Sequence, residues 1–128
     1  MTVDALLDTN ILIDLLRGSS DAATWMQSQT STVFGIPVLV SMELVNGVEN
    51  ARERQQVQQT VAAYPVIHLT ADDSMWAQTQ HAAYKLSHNV GIIDALIAAP
   101  AKRLSVPIFT LNLKHFAPLP DVRAIKPY

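Results

Sequence analysis

The chain contains no cysteine, which excludes a disulfide framework and a thiolate zinc site and suits a reducing compartment. It also carries little net charge, nine Lys and Arg against eleven Asp and Glu giving a formal charge of -2. No domain-wide basic field draws in a polyanion, so contact with nucleic acid would need a local patch or a cation. No apolar run approaches the roughly 20 residues that a membrane-spanning helix requires. The first residues lack the basic start and cleavage signature of a secretory signal. The expectation is a soluble, cytoplasmic protein with no membrane partner. Internal repeats, low-complexity segments and linkers are absent as well.

What is present is enough apolar material for one core. Of the 128 residues 49% are hydrophobic, which suits a single domain over 1–128. The chain opens on the buried strand Leu6-Leu7, which ends abruptly in Asp8, followed by Thr9, Asn10 and a second apolar run. A helix is expected over 11–17 with Gly18 as a left-handed stop, and another over 22–29 behind the candidate caps Ser19, Ser20 and Asp21. Residues 33–36 read as a second strand that Pro37 ends or confines to an edge, since proline cannot donate to a ladder. From Val38 the period turns helical, with Leu39, Met42, Val45 and Val48 as its apolar stripe and Glu43 off it.

A polar helix over 52–64 with a Gln-rich solvated face, ended by Pro65, leads to a third strand over 66–69. Thr70 to Asp73 has the form of a capping box and launches a helix with Met75, Trp76, Thr79, Ala83 and Leu86 on one face, broken at 87–91. The next helix, from Ile92, places Ile92, Ile93, Leu96 and Ile97 inward and Asp94 off that stripe, and Pro100 should kink or divide it. Residues 107–110 form a fourth strand with Asn112 just beyond it, and 122–125 a short edge strand. Trp25, Trp76 and Phe109 lie on apolar faces and read as core rather than as base-stacking platforms. Strands alternating with helices argue for an α/β fold, a parallel sheet with helices on both faces. Right-handed crossovers then bring the carboxyl ends of the strands to one edge, where such sheets hold their sites.

Three acids stand at odds with this apolar pattern. Asp8 ends a buried strand, Glu43 interrupts an apolar helical turn, and Asp94 sits in the first turn of an Ile- and Leu-rich helix, with polar Asn112 as a fourth oddity. Singly, each has an ordinary explanation as a solvated or capping carboxylate, and a first-turn Asp94 favours the helix dipole. Together, carboxylates side by side raise one another's pKa unless a cation neutralises them, and an all-oxygen set suits magnesium or manganese better than zinc or copper. Such an ion orients and acidifies a water and stabilises charge on a phosphoryl oxygen, the chemistry of phosphodiester hydrolysis.

Leu6-Leu7-Asp8-Thr9-Asn10 running into residues 11–16, then Met42-Glu43-Leu44-Val45-Asn46-Gly47, then Asp94-Ala95-Leu96-Ile97-Ala98-Ala99, then Thr110-Leu111-Asn112-Leu113-Lys114-His115-Phe116 resemble the four ordered motifs of PIN-domain ribonucleases. Within that family the match is to the VapC toxins of bacterial and archaeal toxin–antitoxin pairs, and it spans nearly the whole chain. The resemblance implies a PIN-like three-layer α/β/α fold with a short, mostly parallel central sheet flanked by helices. It implies Asp8, Glu43 and Asp94 as a site for Mg2+, with Mn2+ as a substitute, Asn112 as the fourth catalytic member, and Thr110 in support through hydrogen bonding. The implied protein is a metal-dependent endoribonuclease, the toxin of a type II toxin–antitoxin system. It would be a homodimer that cleaves cellular RNA and is inhibited by a small antitoxin whose arm covers the acidic cleft. Two residues depart from the pattern: many members carry an acid where Asn112 stands, and Pro100 falls where the family continues an uninterrupted helix.

Asn10 has two compatible readings, as cap of the first helix and as support of the site by holding Asp8 or a bound water. Arg17, Lys114 and His115 either contact RNA phosphates or are unspecific surface cations. Asp4, Asp14, Asp21, Asp72 and Asp73 read as surface or capping residues, and His68, His81 and His88 are given no role. Two other functions compete. A haloacid-dehalogenase-like phosphatase would use Asp8 as nucleophile with Thr110 and Lys114 in support, although Asn10 stands where such enzymes place a second aspartate. A non-catalytic PIN-like module would bind RNA or protein without needing all three acids.

Overall fold

A computed structural model describes residues 2–128. The apolar run Ala5–Leu7 is its first strand, β1, buried at every position, as in a parallel strand covered on both faces. Then follow α1 (Thr9–Leu16), α2 (Ser20–Gln27), β2 (Phe34–Pro37), α3 (Val38–Asn46), α4 (Ala51–Val61), β3 (Val66–Ile67) and α5 (Ala71–His88). The chain continues with α6 (Ile92–Leu104), β4 (Ile108–Phe109), a 3-10 turn (Leu113–His115) and β5 (Ala124–Ile125). All five strands are parallel, in the order β3-β2-β1-β4-β5, and with the helices they form three α/β/α layers. In register, Leu6 of β1 lies between Gly35 of β2 and Ile108 of β4.

This order places the site. The chain leaves β1 for β2 and β3 on one side, then crosses to β4 and β5 on the other. The crevice between the carboxyl ends of β1 and β4 is therefore a topological switch point, where open α/β sheets hold ligands. Asp8 and Thr110 are the residues immediately beyond those two ends.

Helix ends follow local chemistry. Gly18 takes φ 77 just past α1 and donates to the Leu15 carbonyl at 3.2 Å, the left-handed stop expected of a glycine. Thr70 and Asp73 form a reciprocal capping box at α5, with bonds of 3.1 and 3.0 Å. At α1 the cap differs from one of the two readings of Asn10. Asp8 is the N-cap, in extended conformation with its side chain accepting from Thr9 N–H, so the helix starts at Thr9 and Asn10 lies inside it.

Several packing expectations are corrected. Pro100 does not divide α6, which runs unbroken from Ile92 to Leu104 with the proline ring buried among Ala98, Ala99 and Ala101. The helix forgoes one backbone bond, and the packing of its apolar face holds it together. Met42 and Val45 are 60% and 40% exposed, because residues three apart drift about 60° around a helix at each step. Val40 and Leu44, four apart, face the core instead. Met75 and Leu86 likewise point outward, Leu86 at 99% exposure, while the buried positions of α5 are Asp73 and Ala77. Small Ala77 and the alanines of α6 let these two helices lie close together. Ile92 and Ile93 are also exposed, since the inward face of α6 begins only at Ala95. Trp25 is core as expected, its ring 4.9 Å from Phe109 and 5.5 Å from Phe34.

Asp73, expected at the surface or in a cap, is a cap and also the floor of an ion pair. It is 3% exposed, and both its oxygens lie 3.0 Å from Arg103 Nε, while Arg103 Nη2 donates to the His68 carbonyl. One guanidinium thus joins the last turn of α6, the first turn of α5 and the end of β3. Removing it strands a buried carboxylate. Allowing for the partial exposure of Arg103, Arg103→Ala should lower the unfolding free energy by about 2 kcal/mol in urea titration. A change under about 0.5 kcal/mol would show that water replaces the guanidinium without loss.

Candidate active site

Asp8 is the centre of a bonded group at the switch point. It is 5% exposed, with Oδ1 accepting from Thr9 N–H at 2.8 Å and Oδ2 from the Thr110 hydroxyl at 2.7 Å. Thr110 is fully buried and acts as a hub, its Oγ1 also accepting from Asn112 N–H at 3.0 Å and from Asn10 Nδ2 at 3.4 Å. Asn10 reaches Asp8 Oδ2 at 3.5 Å and accepts from Leu111 N–H at 3.1 Å. Its side chain therefore braces the end of β1 against the segment after β4, the second of its two readings.

Glu43 comes from α3, which starts directly after β2. Its Oε1 accepts from the Thr9 hydroxyl at 2.6 Å. Asp94 stands in the first turn of α6, half-buried, with Oδ2 3.1 Å from His115 Nδ1. Asn112 is exposed and joins the group through its backbone N–H, at the start of the 3-10 turn that carries His115. Lys114 and Arg17 are exposed.

The electrostatics tie the acids into one unit. Burial pushes the Asp8 carboxyl above its ordinary range, and the charge of Glu43 adds to this, while the bonds from Thr110 and Thr9 and the nearby His115 pull it back. Burial also raises Asp94, with further repulsion from Asp8 and Glu43, and His115 opposes it. Asp94 thus feels both other acids and Asp8 feels Glu43, and charge of the opposite sign placed among them would relieve Asp8 and Asp94.

Hydrogen bonds join Asp8, Asn10 and Thr110 by side chain, Glu43 through Thr9, and Asn112 by backbone, whereas Asp94 is bonded to His115 and is linked to Asp8 and Glu43 only through charge. Two contacts were not read from the sequence. Thr9 bonds Glu43, and His115 pairs with Asp94 rather than standing free as a surface cation. A hydroxyl beside the strand-end acid was the only local signal for the first, and position within the last motif the only one for the second.

Comparison with known proteins follows the same lines. The PIN domain model matches residues 5–119. Ribonuclease VapC10 of Mycobacterium tuberculosis (strain ATCC 25618 / H37Rv) is 34% identical over 124 residues, covering 95% of this chain and 90% of that protein. Ribonuclease VapC19 of the same strain is 30% identical over 121 residues, 92% of this chain and 96% of the relative. A toxin–antitoxin complex from Klebsiella pneumoniae contains a chain that superposes with a TM-score of 0.77 at 27% identity, covering 97% of this chain and 98% of the other. DNA-bound VapBC from Salmonella typhimurium shares the fold, with a TM-score of 0.80 at 21% identity over 97% of this chain and 98% of that one. Four motifs in order, a sheet whose switch point gathers their polar residues, and similarity along almost the full length establish that the chain belongs to the PIN-domain family, among the VapC ribonucleases.

Proposed function

We propose that the protein is a Mg2+-dependent endoribonuclease that hydrolyses RNA phosphodiester bonds and acts in the cytoplasm as the toxin of a type II toxin–antitoxin pair. The observation that carries this reading is the gathering of Asp8, Glu43 and Asp94 within one another's electrostatic reach at the switch point of the sheet.

The donor set fits a hard divalent cation. Every candidate ligand atom is a carboxylate oxygen, and the Thr9 bond engages one oxygen of Glu43 and leaves the other. Among the described residues no three His, Cys, Asp or Glu side chains close into a ready-made cage. Mg2+ does not demand one, because it keeps several of its waters when bound. In this reading Asp8, Glu43 and Asp94 hold the ion. Once bound, it supplies acidification of a water and neutralisation of charge on the phosphate. Thr110 and Asn10 keep Asp8 oriented, His115 keeps Asp94 oriented, and Lys114 and Arg17 are available to RNA phosphates. No side-chain nucleophile is needed.

An antitoxin partner is supported by the resemblance to the Klebsiella pneumoniae complex. A cleft of about 440 Å³ beside Glu43, floored by Ile13, Leu44, Val48 and Val57 and rimmed by Glu49 and Glu53, offers room for its arm. A homodimer belongs to the same reading, with exposed Met42 and Val45 on α3 as apolar surface for it. The phosphatase alternative gains no support, since the chain belongs to the PIN-domain family and its relatives are ribonucleases. The non-catalytic alternative leaves the three acids without a purpose.

Protein freed of any partner should cut RNA in Mg2+ or Mn2+, and Asp8→Asn and Glu43→Gln should each slow cleavage on the order of 10²–10³-fold. Chelator should abolish it, and cutting that survives in both variants would place the chemistry elsewhere. A second test uses stability in EDTA. Asp8 and Asp94 have raised carboxyl pKa values, so the fold favours their protonated forms. That contribution is full below the unfolded value of about 3.9 and is lost as pH rises through the raised folded values. Asp94→Asn, which stays neutral, should therefore gain thermal stability relative to the parent as pH rises from 4 to 7. A difference constant with pH would show that Asp94 carries no such penalty.

A further inference from the structure

Thr9 touches both Asp8 and Glu43, and among the described residues no other does so by direct hydrogen bonds. From this we infer that Thr9 is a positioning residue that sets Glu43 relative to Asp8, an inference that rests on the metal-site reading above.

Glu43 needs such a partner. It lies on an exposed stretch of α3, and among the described residues its carboxylate has no ion-pair partner. Glutamate is also among the side chains with the most rotamer freedom to lose. The acid before Thr9 is fixed already: Thr110 and Asn10 hold Asp8, and Asp8 in turn caps the helix that Thr9 begins.

Thr9 passes that fixed position on. Its backbone N–H donates to Asp8 Oδ1 at 2.8 Å, and its hydroxyl donates to Glu43 Oε1 at 2.6 Å, across 34 residues of sequence. The branched β-carbon restricts χ1, so the backbone at the start of α1 largely decides where the hydroxyl points. A hydroxyl bonded to a carboxylate at this distance is a charge-assisted, strongly directional contact. It selects one rotamer of Glu43 and leaves the second oxygen for a cation. Supporting contacts of this kind commonly change metal affinity by about 10–100-fold when removed.

The test is Mn2+ binding by calorimetry to the full chain and to Thr9→Val, Thr9→Ser, Glu43→Gln and the double variant Thr9→Val with Glu43→Gln. Valine keeps the shape and the backbone donor and deletes only the hydroxyl, and Thr9→Ala serves as a second deletion should valine disturb the helix start. Thr9→Val should weaken Mn2+ binding about tenfold, with Thr9→Ser within about threefold of the parent. In the Glu43→Gln background, the same valine should change binding by less than about twofold, because the hydroxyl acts through the carboxylate. In RNA cleavage, kcat should fall with KM unchanged. Three results overturn the role of Thr9: parental Mn2+ affinity in Thr9→Val, a serine variant as weak as the valine one, or an undiminished valine effect without Glu43. Failure of the parent itself to bind Mn2+ would overturn the metal-site reading, and this inference with it.

Discussion

A carboxylate held almost out of water at the end of the central strand is the constraint on which the rest of the structure depends. An isolated charge in that position would cost far more than a small domain can spare, so it persists only with full hydrogen bonding. Asp8 obtains its bonds from two directions, Thr9 N–H from its own chain and the Thr110 hydroxyl from across the sheet. The second depends on β4 lying beside β1, which is a property of strand order and not of local sequence. Thr110 is fully buried because its hydroxyl has these partners, and Asn10 and the backbone of Asn112 close the network around it. The fold is in this sense a device for delivering one acid, rigidly, to an edge.

The same edge gathers charge that the fold alone would not choose. Asp8, Glu43 and Asp94 repel one another, and burial adds to the penalty on two of them. His115 beside Asp94 offsets part of this from within the chain. Elsewhere the molecule handles a buried acid differently: Asp73 is given a guanidinium and a capping role and has no charge to spare. The contrast lies between an acid paired with a guanidinium at the amino end of α5 and a group of under-compensated acids at the carboxyl edge, the group on which the metal-site proposal rests.

Much of this was legible in the sequence, for reasons that can be named. The run before Asp8 reads as a strand because it is apolar and short, Gly18 and the Thr70–Asp73 box announce helix ends through local backbone chemistry, and the alternation of strands and helices implies a parallel sheet. Parallel order in turn brings strand-end residues such as Asp8 and Thr110 to one edge, while their contact was implied only by the family resemblance. The inward faces of the helices were less legible. Hydrophobic side chains at Met42, Met75, Leu86 and Ile92 suggested buried stripes, whereas the real contacts use Val40 and Leu44 on α3 and small residues between α5 and α6. Pro100 looked like a break because its missing donor is a local fact, while the packing that carries the helix past it is a tertiary one. Likewise the Thr9–Glu43 and His115–Asp94 contacts join distant motifs, and no local pattern encodes them.

In the proposed metal site these acids share one divalent cation. Anomalous X-ray scattering from a crystal grown with Mn2+ tests it without reference to any substrate. One strong anomalous peak is expected within coordination distance of carboxylate oxygens from Asp8 and at least one of Glu43 and Asp94, at about 2.0–2.3 Å. Ordered density for all three side chains with no such peak among them, at saturating Mn2+, would contradict it.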